Sequence, residues 1–90
     1  MSRPDRALIA EIIAAYRAAP RQNNWVRLNE IRARLGAWTR AEVDAALLHL
    51  LNTENVSLEP ESNRHRLADP EYRDAAVRIG GEDRHLMQIY

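Results

Sequence analysis

Apolar residues at the start of the chain recur with the period of an α-helix. Leu8, Ile12 and Tyr16 are four positions apart, so they lie on one face of a helix that has 3.6 residues per turn. Pro20 lacks the backbone N–H that a continuing helix requires. The pattern therefore predicts a first helix over residues 4–19.

A short apolar segment and a second helical segment come next. Residues 25–28, Trp-Val-Arg-Leu, have the composition of a short β-strand. Asn29 is a typical N-cap residue, and Gly36 stands where a left-handed residue often ends a helix. We therefore expect a strand at residues 25–28 and a helix over residues 30–35.

The strongest local signal marks the start of a third helix. Thr39 and Glu42 have the spacing of a capping box, in which each side chain accepts a hydrogen bond from the backbone N–H of the other. Trp38 and Val43 flank this box and can pack together as a hydrophobic staple. The sequence predicts a helix over residues 39–52. The residues predicted to face the core from this helix are Val43, Ala46, Leu47, Leu50 and Leu51.

The rest of the chain is predicted to contain a hairpin and a further helix. Residues 56–59 alternate between apolar and polar as a strand does, and residues 60–63 are turn formers. A return strand at residues 64–68 would complete the hairpin. A cap residue followed by proline then starts a helix over residues 70–79, which the glycine pair at 80–81 ends.

Residues 82–90 form an apolar tail that is predicted to be a strand or an extended arm. Full burial of each large apolar side chain is worth about 1.5–3 kcal/mol, so these side chains should not stay in water. We expect the tail to pack on the chain's own core or on a partner, which includes a second copy of the chain. The candidate contact residues are Leu86, Met87, Ile89 and Tyr90.

Composition limits the class of protein. The 90 residues suit one domain, and 46% hydrophobic with 29% charged residues is typical of globular proteins. The absence of cysteine excludes disulfides and thiol catalysis. No apolar run approaches the roughly 20 residues of a membrane-spanning helix, and the first residues lack the apolar stretch of a signal peptide. We therefore expect a cytoplasmic protein without membrane contact.

The predicted order of helix, short strand, helix, tight turn, helix and hairpin resembles the winged helix-turn-helix fold over residues 4–68. The resemblance implies an α+β domain, mainly helical, in which the strand before the second helix pairs with the hairpin. It also implies that the third helix is the recognition helix and that the hairpin is the wing. The predicted domain spans residues 1–81 and includes the additional helix at 70–79, and residues 82–90 form a C-terminal arm.

The resemblance also implies DNA-binding roles for particular residues. In such proteins the recognition helix contacts base edges in the major groove, which makes Arg40 the best placed residue to recognise guanine. The other candidates on this helix are Asp44, His49 and Asn52. The candidates for phosphate contact on the second helix and the wing are Arg32, Arg34, Asn63, Arg64 and Arg66. The implied function is a DNA-binding transcriptional regulator or an accessory factor in DNA transactions, with a homodimer suited to twofold sites.

Charge keeps a second function class open. All 13 basic residues are arginine, which pairs well with phosphate, but 13 acidic residues bring the formal net charge to zero. DNA-binding domains are usually basic, because counterion release contributes to their affinity. Glu59 and Glu61 fall on the predicted wing, where a phosphate backbone would repel them. The alternative is a winged-helix module that binds protein within a larger assembly.

An enzyme is the class that the sequence supports least. His49, His65 and His85 are too far apart to form a local metal-binding motif. Neither a phosphate-cradling Gly-rich loop nor the spacing of a catalytic triad is present in the sequence. We expect no catalytic activity, no metal and no cofactor.

Overall fold

The computed structural model describes residues 5–53 and 55–90, and the first half of the chain is mostly helical. Its elements are α1 (Arg6–Ala18), β1 (Val26–Arg27), α2 (Leu28–Ala33) and α3 (Arg40–Thr53). The predicted helices and the predicted strand in this region are confirmed. The part of the predicted first helix that precedes Asp5 lies outside the described residues.

Side-chain caps set the beginnings of α1 and α3. Asp5 accepts a hydrogen bond from the N–H of Ala7 at 2.7 Å and so caps α1. Thr39 and Glu42 form the predicted capping box. The Glu42 N–H donates to Thr39 Oγ1 at 3.2 Å, and the Thr39 N–H donates to Glu42 Oε1 at 2.9 Å. The local signal for the third helix was therefore sufficient to place its start.

The second helix begins two residues earlier than predicted. Arg27, in extended conformation, occupies the N-cap position of α2, and no side chain caps this end. The N–H of Leu28 donates to the carbonyl oxygen of His85 at 2.9 Å, so a partner distant in sequence replaces the local cap. Asn29 consequently lies inside the helix, and the prediction that it caps α2 is wrong.

The second half of the chain completes an antiparallel sheet around its last strand. Its elements are β2 (Val56–Glu59), α4 (Arg64–Leu67), α5 (Pro70–Asp74), β3 (Val77–Ile79), β4 (Glu82–Arg84) and β5 (Leu86–Ile89). β5 lies between β1 and β2, so the sheet order is β1–β5–β2. Met87 pairs with Val26 on one side and with Leu58 on the other, and it is 0% exposed. The central strand therefore joins the two halves of the chain.

The predicted hairpin between residues 56–59 and 64–68 is not formed, and this prediction is wrong. β2 pairs with β5, and residues 64–67 form the helical turn α4. Asn63 caps this turn by accepting a hydrogen bond from the N–H of His65 at 2.9 Å. The polar segment around His65 cannot supply the apolar side chains that β5 places in the core. The winged-helix arrangement predicted over residues 4–68 is therefore not completed within that range.

The helix predicted over residues 70–79 ends at Asp74, and a second hairpin follows it. Gly80 and Gly81 have φ of +62° and +77°, and they form the two-residue turn between β3 and β4. Adjacent residues with positive φ are the hallmark of a tight hairpin turn, and glycine adopts this conformation most readily. Residues 82–90, predicted as a C-terminal arm, are instead part of the folded structure as β4 and β5.

The core lies between the helices and the inner face of the sheet. Its largest fully buried side chains are Leu8, Ile12, Val26, Leu28, Ile31, Leu47, Leu50 and Met87. The predicted α+β class is confirmed. Within the described residues, every helix is too short or too polar to cross a membrane.

Candidate functional site

The exposed side of α3 carries its charged residues, Arg40 and Glu42, in the first turn. Beside and beyond these two lie other exposed residues, which are adjacent or spaced three or four apart. We call them the outer face of α3: Ala41, Ala45, Leu48, His49 and Asn52. Leu48 is 43% exposed, which is unusual for a large apolar side chain in this structure. The outer face thus presents apolar and neutral polar groups to solvent.

The guanidinium of Arg40, which was predicted to recognise a guanine, interacts with other groups of the same chain. Its Nη2 donates to the carbonyl oxygen of Ala76 at 2.7 Å, and its Nε lies 3.8 Å from Asp44 Oδ2. The side chain is 56% exposed, but its guanidinium is directed toward the segment that follows α5. A base contact through Arg40 would require these interactions to break.

Arg32 on α2 holds the same segment. Its Nε donates to the carbonyl oxygen of Ala75 at 2.6 Å, and its Nη2 lies 2.5 Å from Asp44 Oδ1. The Arg32 side chain is only 15% exposed. We call Arg32, Arg40 and Asp44 the arginine clasp, because together they fix the end of α5 against α2 and α3. These predicted DNA contacts therefore have a structural role in the described fold.

Other predicted phosphate contacts are also engaged within the chain. Arg34 Nη1 lies 3.1 Å from Glu30 Oε2, one turn away on α2. Arg66 Nη1 lies 3.3 Å from Glu61 Oε1, and the Arg66 side chain is 30% exposed. Asn63 uses its side chain to cap α4. The structure does not gather these residues into a basic surface.

Arg64, His49 and Asn52 remain exposed. Arg64 lies on α4 and makes no ion pair within residues 5–53 and 55–90. His49 and Asn52 lie on the outer face of α3. These residues are the part of the predicted DNA-binding set that stays accessible without rearrangement.

The predicted partner contacts in the tail are mostly used by the fold. Met87 is fully buried, and Leu86 and Ile89 are half-buried in β5. Tyr90 is 70% exposed, and its hydroxyl is hydrogen-bonded to the Ser57 hydroxyl. Of the two possibilities that the sequence left open, the tail takes the first and packs on the chain's own core.

A buried polar cluster, absent from the sequence predictions, consists of Glu61, Arg66, Tyr72 and His85. The Tyr72 hydroxyl donates to Glu61 Oε1 at 2.6 Å, and the Glu61 N–H donates to His85 Nδ1 at 3.2 Å. The Glu61 side chain is 7% exposed, and His85 is 5% exposed. The cluster ties the segment after β2 to α5 and to the β4–β5 junction. Its members come from separate segments, so no local pattern identifies it.

Burial and hydrogen bonding shift the pKa values in this cluster. Burial alone raises the pKa of Glu61, but hydrogen bonds from the Tyr72 hydroxyl, a backbone N–H and Arg66 lower it more strongly. The net pKa of Glu61 lies below its ordinary value of 4.5, so the carboxylate is ionised at neutral pH. Burial lowers the pKa of His85 below 6.5, although nearby acids oppose this shift. Burial and the Glu61 carboxylate raise the pKa of Tyr72, which keeps its hydroxyl protonated.

Within the part of the chain that the structure describes, no group of three or more His, Asp or Glu side chains is arranged to hold a metal ion. Comparison with known proteins found no matching family model, no matching curated protein and no matching solved structure. The function must therefore be argued from the geometry of this chain.

Proposed function

We propose that this chain is a protein-interaction module of the winged-helix type, which contacts its partner through the outer face of α3. The observation that carries the proposal is the composition of this face. Leu48 is exposed at its centre, while Arg40 at the start of the helix is bonded to Ala76. Protein interfaces have apolar centres that are depleted of charge, with polar groups such as Asn52 toward the rim.

The sheet supports the winged-helix assignment in a revised form. The element order α1, β1, α2, α3, β2 agrees with that fold, and β1 pairs with a strand that also pairs with β2. The returning strand is β5, so residues 60–85 take the place of a short wing. We call residues 60–85 the wing segment. A fold by itself does not specify a partner, so the proposal that the partner is a protein and not DNA depends on the surface of α3.

DNA binding is the competing function, and the distribution of charge argues against it. Affinity for a duplex increases with the number of Lys and Arg side chains that neutralise phosphates. Arg32 and Arg40 are used by the clasp, and Arg34 and Arg66 have acidic partners. Of the predicted phosphate contacts, Arg64 is the arginine that is exposed and forms no ion pair within the described residues, and a single such contact contributes little to affinity for DNA.

Site-specific photo-crosslinking tests the proposed face. A photoreactive amino acid is placed at position 48, with a matched exposed control at Arg73, whose side chain is 54% exposed on α5. The variants are expressed in the source cells and irradiated. We expect a protein adduct at position 48 that is absent at position 73 and that Asn52→Arg weakens. Equal yields at both positions would contradict the proposal. The mass of the adduct distinguishes a second copy from another protein.

A duplex titration tests the competing function directly. Fluorescence anisotropy with random duplex DNA is measured at low and high salt. A DNA-binding domain with six phosphate contacts would lose affinity steeply over this range, whereas we expect no binding of the random duplex at either salt concentration. Salt-dependent binding that His49→Ala and Arg64→Gln both weaken would favour DNA as the partner.

A further inference from the structure

A cavity of about 430 Å³ lies between the second half of α1 and the start of β2 beside the end of β5. We call it the α1–β5 cavity. Its floor includes Leu50 and Val56, which are buried, and the half-buried Ile13 and Ile89 add accessible apolar surface. Binding sites for small molecules are typically about 300–1,000 Å³ in volume and combine apolar walls with a few polar groups. The α1–β5 cavity has the size and the apolar surface of such a site.

Hydrogen bonds between residues that line the cavity fix its shape. The Ile89 N–H donates to the Tyr16 hydroxyl at 3.1 Å, which connects β5 to α1. The Tyr90 N–H donates to the carbonyl oxygen of Asn55 at 3.0 Å, and the Tyr90 hydroxyl is hydrogen-bonded to the Ser57 hydroxyl. Tyr16, Asn55, Ile89 and Tyr90 all line the cavity, so the fold itself holds its walls together.

Two arginines give the cavity a positively charged rim. Arg17 lies in the last turn of α1, and Arg21 lies three residues beyond the end of this helix. Both side chains are exposed, so a ligand can reach them. The guanidinium carbon of Arg21 lies 4.4 Å from the centre of the Tyr16 ring, a cation–π contact that holds the charge beside the cavity. Neither arginine forms an ion pair with a described residue.

Charge distinguishes this cavity from another of similar volume. A cavity of about 420 Å³ lies beside the arginine clasp, and its lining contains Arg32 and Arg40 but also Glu30, Glu71 and Asp74. Its cations are therefore balanced by acidic side chains. Among the described residues, the lining of the α1–β5 cavity contains no acidic side chain. This cavity consequently favours a ligand that carries negative charge.

We propose that the α1–β5 cavity binds a small carboxylic acid with an apolar body. The carboxylate accepts hydrogen bonds from the guanidiniums of Arg17 and Arg21, whose planar forks match its geometry. The apolar body packs on Ile13 and Ile89, and its burial contributes up to about fourfold in affinity for each CH₂ group. The described lining includes no residue of the outer face of α3, so this proposal is independent of the proposed protein interface.

The test follows the methyl signals of Ile13 and Ile89 by ¹H–¹³C NMR of the whole chain at pH 7, where a carboxylic acid is ionised. Octanoate, 1-octanol and acetate are titrated separately at constant low ionic strength. The alcohol keeps the apolar body without the charge, and acetate keeps the charge without the apolar body. We expect saturable shifts with octanoate, an affinity about tenfold lower for 1-octanol because it lacks both ion pairs, and no saturation with acetate.

Substitution of the two arginines separates the contribution of charge from that of the apolar walls. Arg17→Gln and Arg21→Gln should each weaken octanoate binding about threefold, because exposed ion pairs contribute modestly. The double variant should bind octanoate no more tightly than the wild type binds 1-octanol. Arg6→Gln is the matched control, because Arg6 is an exposed arginine at the start of α1 outside the cavity lining, and it should leave the affinity unchanged.

Three outcomes would overturn the proposal. The first is a methyl shift that does not saturate with octanoate, and the second is equal affinity of the wild type for octanoate and 1-octanol. The third is a loss of affinity in Arg6→Gln as large as that in Arg21→Gln, since it would show a general effect of charge instead of a site at the rim of the cavity. The substituted arginines are exposed, so we expect all of these variants to fold.

Discussion

The hydrogen bond between Tyr72 and Glu61 is expected to contribute measurably to the stability of the fold, and Tyr72→Phe removes it with little change of shape. The hydroxyl and the carboxylate oxygen are 2.6 Å apart. Tyr72 is 4% exposed, and the Glu61 side chain is 7% exposed. Hydrogen bonds to charged groups contribute about 1.5–3 kcal/mol. Because Glu61 keeps Arg66 and a backbone N–H as partners, we expect a loss of about 1.5–2 kcal/mol.

A double-mutant cycle with Glu61→Ala, which removes the acceptor, isolates the energy of this pair from the rest of the cluster. Urea unfolding at pH 7 is followed by tryptophan fluorescence and by circular dichroism, so that two-state behaviour is tested at the same time. With a urea dependence of about 1–3 kcal/mol/M, a loss of 2 kcal/mol lowers the midpoint by about 0.7–2 M. We expect a coupling energy of about 1–2 kcal/mol between Tyr72 and Glu61.

Tyr90→Phe is the matched control for this experiment. The Tyr90 hydroxyl is also hydrogen-bonded, to the Ser57 hydroxyl, but Tyr90 is 70% exposed. Removal of its hydroxyl should therefore change the free energy of unfolding by less than about 0.5 kcal/mol. The reasoning fails if Tyr72→Phe and Tyr90→Phe destabilise equally. It also fails if the coupling between Tyr72 and Glu61 is below about 0.5 kcal/mol.

The coupling should also depend on pH in a defined direction. The interactions that lower the pKa of Glu61 stabilise the folded state fully above its ordinary pKa of 4.5. Their contribution is lost as the pH falls through the lower pKa of the folded state. The cycle repeated in acid should therefore give a smaller coupling than at pH 7. An unchanged coupling would show that the ionised carboxylate is not the acceptor.

Other local interactions yield independent predictions. Thr39→Ala should lower the free energy of unfolding by about 0.5–2 kcal/mol by removing a cap, which urea unfolding would detect. His85 has a pKa below its ordinary value of 6.5, so the wild type should lose stability as the pH falls below 6.5. His85→Gln should flatten this dependence of the free energy of unfolding on pH. Gly80→Ala should lower the free energy of unfolding by about 1–2 kcal/mol because the φ of Gly80 is +62°, even though an added Cβ would contact no neighbour. Gly36→Ala should leave stability nearly unchanged or raise it, and thermal melting of both variants checks the difference.

Predictions from the sequence succeeded where a few adjacent residues determine the structure. The capping box at Thr39 placed α3, and the alternation at residues 56–59 placed β2. Asp69 caps α5 through the Glu71 N–H, as the cap-and-proline pattern predicted. In each case the decisive interaction joins residues that are only a few positions apart, so the pattern contains the information.

The partner of β2 could not be predicted in the same way. Residues 64–68 and residues 86–89 both follow β2, and only the second segment carries the apolar side chains that the sheet buries. Pairing with the nearer segment closes a shorter loop, but the wing segment folds into its own helices and hairpin and brings β5 back to the sheet. The glycine pair at 80–81, preceded by the β-branched Val77 and Ile79 at alternate positions, was the available signal for that hairpin.

The candidate site was predicted less well, because arginine roles are decided by distant partners. Arg40 and Arg32 donate to carbonyl oxygens that are 36 and 43 residues away in sequence. For Arg40 and Arg32 the sequence shows an arginine at a helix position predicted to be exposed, and it does not show which carbonyl oxygen the guanidinium contacts. His49 and Asn52 were placed correctly on the exposed side of α3, because helical periodicity alone determines that side.

The use of arginine inside the fold also changes how the surface charge should be understood. The planar guanidinium of arginine can donate hydrogen bonds to a backbone carbonyl and a carboxylate at the same time. In the arginine clasp, Arg32 does so with Ala75 and Asp44 and thereby connects the wing segment to the helices. Each arginine used in this way is lost as a phosphate contact, so the chain's 13 basic residues overstate its attraction for DNA. The same arrangement leaves α3 with an outer face whose most prominent group is Leu48. A rigid helix with that face is suited to a partner that offers an apolar surface, which is the physical reason for preferring a protein partner to a duplex.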